Sequence, residues 1–260
     1  MTTGEASVVS IAEAFSRARD IRSIEADNPF QTAAISRLLL AIMYRAITPL
    51  YVAQKDGRDE AAVEFWKLLW EDEDNDVPGI IAGYLDDYVQ RFDLFDKVRP
   101  FFQISGLEYA NEEAVGTSKF SIGRIMPEQD KISVFRKSDF EGAVTYAEAA
   151  RILVTYQSWS TTTILSPVNG MYSDMTAVPR VYQGGRKGWC GSIGLTMMNG
   201  RNLYETLVLN TLPQQLNESD IPFWEERTAR KVPVMFEPDE SGRVVRRDEK
   251  WEVRGQVQLF

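Results

Sequence analysis

From Phe30 to Ala46 the chain places Ile35, Leu38, Leu39, Ile42, Met43 and Ala46 at intervals of three and four residues, the repeat of a single helix face. The stretch is so apolar that it predicts a core helix, and the rest of the chain must be arranged around it. Thr48-Pro49 is expected to end this helix. Before it, Ser10-Ile-Ala-Glu13 reads as a capping box opening an earlier helix, with Ile11, Phe15, Ile21 and Ile24 at helical spacing and Asn28-Pro29 as its breaker.

Three more helices follow by the same reasoning. One covers about residues 60 to 70 with Val63, Trp66, Leu69 and Trp70 inward. Another opens at Pro78 and carries Ile80, Ile81, Tyr84, Leu85, Tyr88 and Val89. A third opens at the capping box Thr145-Tyr-Ala-Glu148 and runs through Ile152, Leu153, Tyr156 and Trp159. The acidic run from Glu71 to Asp76 lacks the glycine and distal glutamate of a calcium loop, and reads as a solvated loop. In residues 91 to 107, Phe92, Phe95, Phe101 and Phe102 read as packing residues around a turn. Short strands are expected at Lys131–Phe135 and Trp251–Phe260, and the basic residues near Arg243, Arg246 and Arg247 suggest a solvated hairpin. Helices mix with short strands in no βαβ rhythm, so the expected class is α+β, in one irregular globular domain.

Residues 184 to 213 carry the most distinctive chemistry. Gly184, Gly185, Gly188, Gly191 and Gly194 alternate with Arg186, Lys187 and Trp189, and after Gly200 a helical run reaches Leu212 before Pro213. No Asp or Glu lies between Asp174 and Glu205, whereas Arg180, Arg186, Lys187 and Arg201 do. Glycine lets the main chain approach a surface closely, and its N–H groups then serve as donors. A mobile surface loop is the plain alternative.

Several function classes fall away. The chain has no histidine and one cysteine, Cys190, which excludes Ser-His-Asp and Cys-His relays and histidine or multi-cysteine metal sites. A Mg²⁺-dependent carboxylate enzyme using Asp72 stays a minor alternative. No internal disulfide is possible, so a reducing cytoplasm is the expected compartment. No run of 18 apolar residues suggests a membrane span. A net charge of −9 argues against indiscriminate coating of nucleic acid but not against a confined basic site.

Gly184-Gly185-Arg186-Lys187-Gly188 has neither Walker A spacing nor the Ser/Thr after Lys. No buried strand leads into it, as a dinucleotide fingerprint requires. Backbone donors with two long cations would suit a DNA minor groove, whose floor offers acceptors in a strongly negative field. A second candidate is Phe135, Arg136 and Lys137, where an exposed Phe could stack on a base while cations hold phosphates. The alternative there is a buried Phe at a strand end with solvated neighbours.

The order of AISRLLLAIMYRA, RFDLFDKVRPFFQ, VFRKSDF, TYAEAARILVTYQSW, the glycine-rich loop, GRNLYETLVLNTLP and IPFWE resembles the large subunit of the type I-E CRISPR Cascade complex, the CasA family. The resemblance runs from about residue 8 to 260. It implies a subunit without catalysis, cofactor or metal, acting beside guide RNA (crRNA) and the backbone and small subunits. Such subunits inspect target double-stranded DNA for the protospacer-adjacent motif from the minor groove and support recruitment of a helicase–nuclease; guide pairing reads the remaining sequence. It assigns Gly184, Gly185 and Gly188, with Arg186 and Lys187, to DNA, and Phe135, Arg136 and Lys137 to the foot of the complex near the guide's 5′ end. It also implies that residues 1–260 form one N-terminal-type domain. The usual N-terminal strand segment, the later lysine and glutamine-tipped wedge and the C-terminal helical bundle have no counterpart here, as in a truncated, split or shortened version. The alternative role is a scaffold subunit without DNA contact.

Overall fold

A computed structural model describes residues 4–54, 60–71, 76–106, 144–159, 190, 194–226, 236–238, 240–241 and 244–246. The chain forms two compact units: Met1–Phe92 with Gly194–Glu226 and Val253–Phe260, and Asp93–Ile193 with Arg227–Glu252.

The first unit is built on helices α1 (Ile11–Ser16), α2 (Pro29–Gln54), α3 (Ala61–Glu71) and α4 (Val77–Tyr88). The Ser10 box is present in full: Glu13 N–H donates to Ser10 Oγ at 3.1 Å, and Ser10 N–H to the Glu13 carboxylate at 2.8 Å. Those bonds hold the Glu13 carboxyl below its ordinary range. The helix stops at Ser16, however, so Ile21 and Ile24 do not continue it. Asn28-Pro29 is therefore not the breaker of α1, which has already ended at Ser16, but the start of α2. Asn28 Oδ1 accepts the Gln31 N–H at 2.9 Å, and Pro29 takes the first helical position, where its missing N–H costs nothing.

Helix α2 is the core element, burying Leu38, Leu39, Ile42, Met43 and Ile47. By length and composition it could cross a membrane, but 61% of its most apolar window is buried inside the protein, as in a core helix. It does not end at Pro49 but continues to Gln54. Pro49 itself is exposed, while Tyr51 beyond it is buried with its ring 5.2 Å from that of Phe65. Burial past the proline outweighs the one ladder bond it removes. Helix α4 is capped by Asp76, whose carboxylate accepts the Gly79 N–H at 3.1 Å, and buries Ile81 and Leu85.

Helix α3 differs in part from its expected orientation. Leu69 is buried as expected, with Ala61, Ala62 and Phe65 beside it, whereas Val63 is 52% and Trp70 37% exposed. The buried side follows the i, i+3, i+7 line Ala62–Phe65–Leu69, which turns Val63 and Trp70 outward.

The unit is completed by α6 (Leu203–Leu209), capped by Asn202, and by two 3-10 turns, Pro213–Gln215 and Phe223–Glu225. The helical run expected to reach Leu212 stops at Leu209. There Asn210 donates to the Thr206 and Met198 carbonyls, both at 2.7 Å, and closes the last turn.

In the second unit, α5 (Tyr146–Trp159) opens with the expected box. Thr145 N–H donates to Glu148 Oε2 at 2.7 Å and Glu148 N–H to Thr145 Oγ1 at 3.2 Å. Residues 93–106 form a loop stapled by side chains: Asp93 Oδ1 accepts Phe95 N–H and Asp96 Oδ1 accepts Val98 N–H, each at 2.8 Å. Phe101 is buried as expected, but Phe95 is 62% exposed. The Asp93 turn aims it outward, edge-on to Tyr146 at 4.9 Å. Strands β1 (Phe236–Pro238) and β2 (Val244–Arg246) pair antiparallel with Phe236 opposite Arg246, the hairpin expected around Arg246. The described residues are helix-rich, with this three-residue ladder as their strand content. The strands expected at Lys131–Phe135 and Trp251–Phe260, and Asp72 of the acidic run, lie outside the described residues.

Candidate nucleic-acid interface

Gly184, Gly185, Arg186, Lys187 and Gly188 lie outside the described residues, as do Phe135, Arg136 and Lys137. The structure does describe positions that bracket both stretches. Thr145, later in the chain than the second stretch, is fixed by its capping box at the start of α5. Before and after the glycine stretch stand Ser158 and Cys190. The buried Cys190 donates its N–H to the Ser158 carbonyl at 3.0 Å. That bond brings Cys190 onto the last turn of α5. Ser158 is tied in turn, its hydroxyl donating to Val154 O at 2.8 Å.

Past the glycine stretch, residues 198 to 205 are held in the first unit by a dense set of bonds. Arg22 donates through Nη1 to the carbonyls of Gly200 and Arg201, both at 2.9 Å. Gly200 N–H donates to Thr206 Oγ1 at 3.0 Å. A Cβ at Gly200 would overlap the Glu205 Cβ and come within 2.8 Å of its backbone, so only glycine fits that turn. Arg201 N–H donates to Glu205 Oε2 at 2.7 Å, and its guanidinium reaches Oε1 at 2.7 Å. The Arg201 side chain followed by its N–H holds the Glu205 carboxyl below its ordinary range. Arg19 lies 4.1 Å above the Tyr204 ring, while Tyr204 Oη donates to Leu69 O at 2.6 Å. Arg19, Arg22 and Arg201 thus gather at the start of α6. Arg201 alone was singled out in the sequence; Arg19 and Arg22 were not, because their partners lie about 180 residues away.

A second arrangement escaped sequence reading altogether. Arg45, on the core helix, donates through Nε to Glu225 Oε1 at 2.6 Å and through Nη2 to Oε2 at 2.7 Å. Its Nη1 covers the carbonyls of Asn217, Glu218 and Asp220 at 3.2 to 3.3 Å. Tyr84 Oη donates to Glu225 Oε1 and accepts Trp224 Nε1–H, both at 2.7 Å. Burial alone would lower the Arg45 pKa, but the Glu225 carboxylate more than offsets it and the guanidinium is held more firmly protonated. Burial, with that same carboxylate, raises the Tyr84 hydroxyl above its ordinary range. The network locks IPFWE onto α2 and α4. An arginine within an apolar helix was its available signal, since a buried charge demands a partner. Among the described residues, no group of three or more His, Cys, Asp or Glu could hold a metal ion.

The model of the CRISPR-associated protein Cse1 family matches residues 1–244. The chain belongs to that family. It is 27% identical over 257 residues to the CRISPR-associated protein CasA/Cse1 of Thermus thermophilus, covering 97% of this chain and 43% of the relative. The crystal structure of Thermobifida fusca Cse1 superposes with a TM-score of 0.65 at 26% identity, over 85% of this chain and 39% of that one. A chain of a solved CRISPR RNA-guided surveillance complex shares the fold, with a TM-score of 0.58 at 20% identity over 87% of this chain and 44% of that one. The chain therefore spans about two-fifths of the length of these relatives. The resemblance to the Cascade large subunit is shown, over part of that subunit.

Proposed function

We propose that this chain is a non-catalytic subunit of a type I-E CRISPR RNA-guided surveillance complex that docks on target duplex DNA near the protospacer-adjacent motif. The observation that carries the reading is the family match over residues 1–244, which takes in both candidate loops. In this reading Gly184, Gly185 and Gly188 bring bare main chain into the minor groove while Arg186 and Lys187 neutralise phosphates. Phe135, Arg136 and Lys137 meet the guide RNA and its neighbouring subunits. The chain also supports recruitment of the helicase–nuclease, and residues 1–260 act together as the large subunit's N-terminal-type α+β domain. The occurrence of this fold in a surveillance complex supports the assembly role.

Reconstitution tests it. The protein is mixed with guide RNA and the backbone and small subunits, then run by size exclusion. It is expected to co-migrate with the RNA, and Phe135→Ala with Lys137→Ala is expected to weaken that association. Separate elution under all salt conditions would contradict the proposal. A scaffold that touches only protein is the second reading, favoured by the net charge of −9; it predicts no change in DNA affinity for Lys187→Ala.

A further inference from the structure

The glycine that the turn at residue 200 requires follows an asparagine. Asn199 is exposed, and at Gly200 a Cβ would overlap the Glu205 Cβ. Asn-Gly is the dipeptide that loses its side-chain amide most easily, because no Cβ on the following residue shields that residue's nitrogen. Asn202, Asn210 and Asn217 precede Leu203, Thr211 and Glu218, whose side chains do shield it. The pair recurs in the sequence at Asn169-Gly170, outside the described residues.

Around Asn199 the backbone is pinned on both sides. Met198 N–H donates to Asn210 Oδ1 at 3.0 Å, and Asn210 Nδ2 donates back to Met198 O at 2.7 Å. Gly200 N–H donates to Thr206 Oγ1 at 3.0 Å, and that hydroxyl donates onward to Asn202 O at 2.9 Å. Arg22 holds the Gly200 and Arg201 carbonyls. The Gly200 nitrogen, the one placed to attack the Asn199 side chain, is thus committed to Thr206. Attack needs that bond to break and the pinned backbone to turn, a local opening of the fold.

We infer that Asn199 is a site of spontaneous deamidation and isoaspartate formation, held latent in the folded chain by the Thr206 hydroxyl. The Gly200 nitrogen gives its proton to base and bonds to Asn199 Cγ; the Cγ–Nδ2 bond breaks and ammonia leaves. Water then opens the succinimide at either of its carbonyls. One opening leaves aspartate, and the other leaves isoaspartate, with the main chain rerouted through the former side chain. Water is the only co-reactant, and nothing is oxidised or reduced. Either product sets a carboxylate into residues 175 to 204, a stretch without Asp or Glu. The inference does not depend on DNA docking.

The test incubates the full chain at mildly alkaline pH, folded in buffer and unfolded in guanidinium, and locates products by peptide mass spectrometry and isoaspartate-specific methylation. Wild type is expected to convert Asn199 about tenfold or more faster when unfolded than when folded. Thr206→Val is expected to speed the folded reaction about threefold or more, the weight of one hydrogen bond. Thr206→Ser keeps the hydroxyl and should stay near the wild-type rate. Asn199→Gln should remove the product, since the larger ring closes far more slowly. Equal rates at Asn199 in folded and unfolded wild type would overturn the proposal, as would an unfolded chain that yields no product there. So would a folded Thr206→Val chain that reacts at the wild-type rate. An equal acceleration in Thr206→Ser would assign the restraint to packing and overturn the role of the hydroxyl.

Discussion

The Arg45 guanidinium and the Glu225 carboxylate meet through two parallel hydrogen bonds, 2.6 and 2.7 Å long, across 180 positions of sequence. Both side chains are nearly inaccessible to water, at 13% and 9% exposure. The bidentate geometry fastens the Phe223–Glu225 turn to the core helix, and Tyr84 and Trp224 complete the ring of bonds.

Removing one partner leaves the other charge buried. Glu225→Ala and Arg45→Ala are each expected to destabilise the protein by about 3–5 kcal/mol. Tyr84→Phe, which removes the bond to Glu225 and the acceptor of Trp224 Nε1–H, should cost at least about 1.5–3 kcal/mol. Urea unfolding midpoints at constant slope measure all three; equal midpoints for wild type and Glu225→Ala would show that the pair holds nothing.

Gly200→Ala is expected to cost about 1–3 kcal/mol, as for overpacking in a filled site. The added methyl meets Glu205 Cβ and the backbone at Glu205 and Thr206. Gly194→Ala, where a Cβ meets open space, serves as the control. Unfolding curves that coincide for Gly200→Ala and wild type would contradict the tight turn.

Acid should loosen the start of α6. Glu205 is held below the ordinary carboxyl pKa of 4.5 by Arg201, so it binds more protons unfolded than folded just below that value. Its contribution is therefore complete above about pH 5 and declines as pH falls through its lowered folded value. The protection of the Arg201 amide, whose N–H Glu205 accepts, relative to its intrinsic exchange rate at each pH, is expected to fall in that window in wild type. In Glu205→Gln this fall should vanish; a pH profile of protection identical in both proteins would sink the assignment.

What was legible in the sequence was local. The boxes Ser10–Glu13 and Thr145–Glu148 need only four consecutive residues, and both form as expected. So does the core helix, whose apolar period persists over many turns. Pro49 misled because a proline's cost is local while the burial of Tyr51 that outweighs it is tertiary. Helix α3 was legible in part: Leu69 is buried as expected, but periodicity could not choose between Phe65 and the Val63–Trp70 pair for the rest of the inner face. The Arg45–Glu225 and Arg22–Gly200 contacts join distant segments, and no short pattern encodes either partner. The glycine and Phe135 loops were legible as composition and family order, not as geometry.

The most direct measurement is the affinity of the reconstituted complex for motif-bearing duplex DNA, as a function of salt, with wild type, Lys187→Ala and Gly185→Val. The account predicts steep salt dependence in wild type, a uniformly weaker and shallower curve for Lys187→Ala, and loss of binding for Gly185→Val without loss of folding. Three superimposable salt curves would contradict minor-groove docking and leave a scaffold.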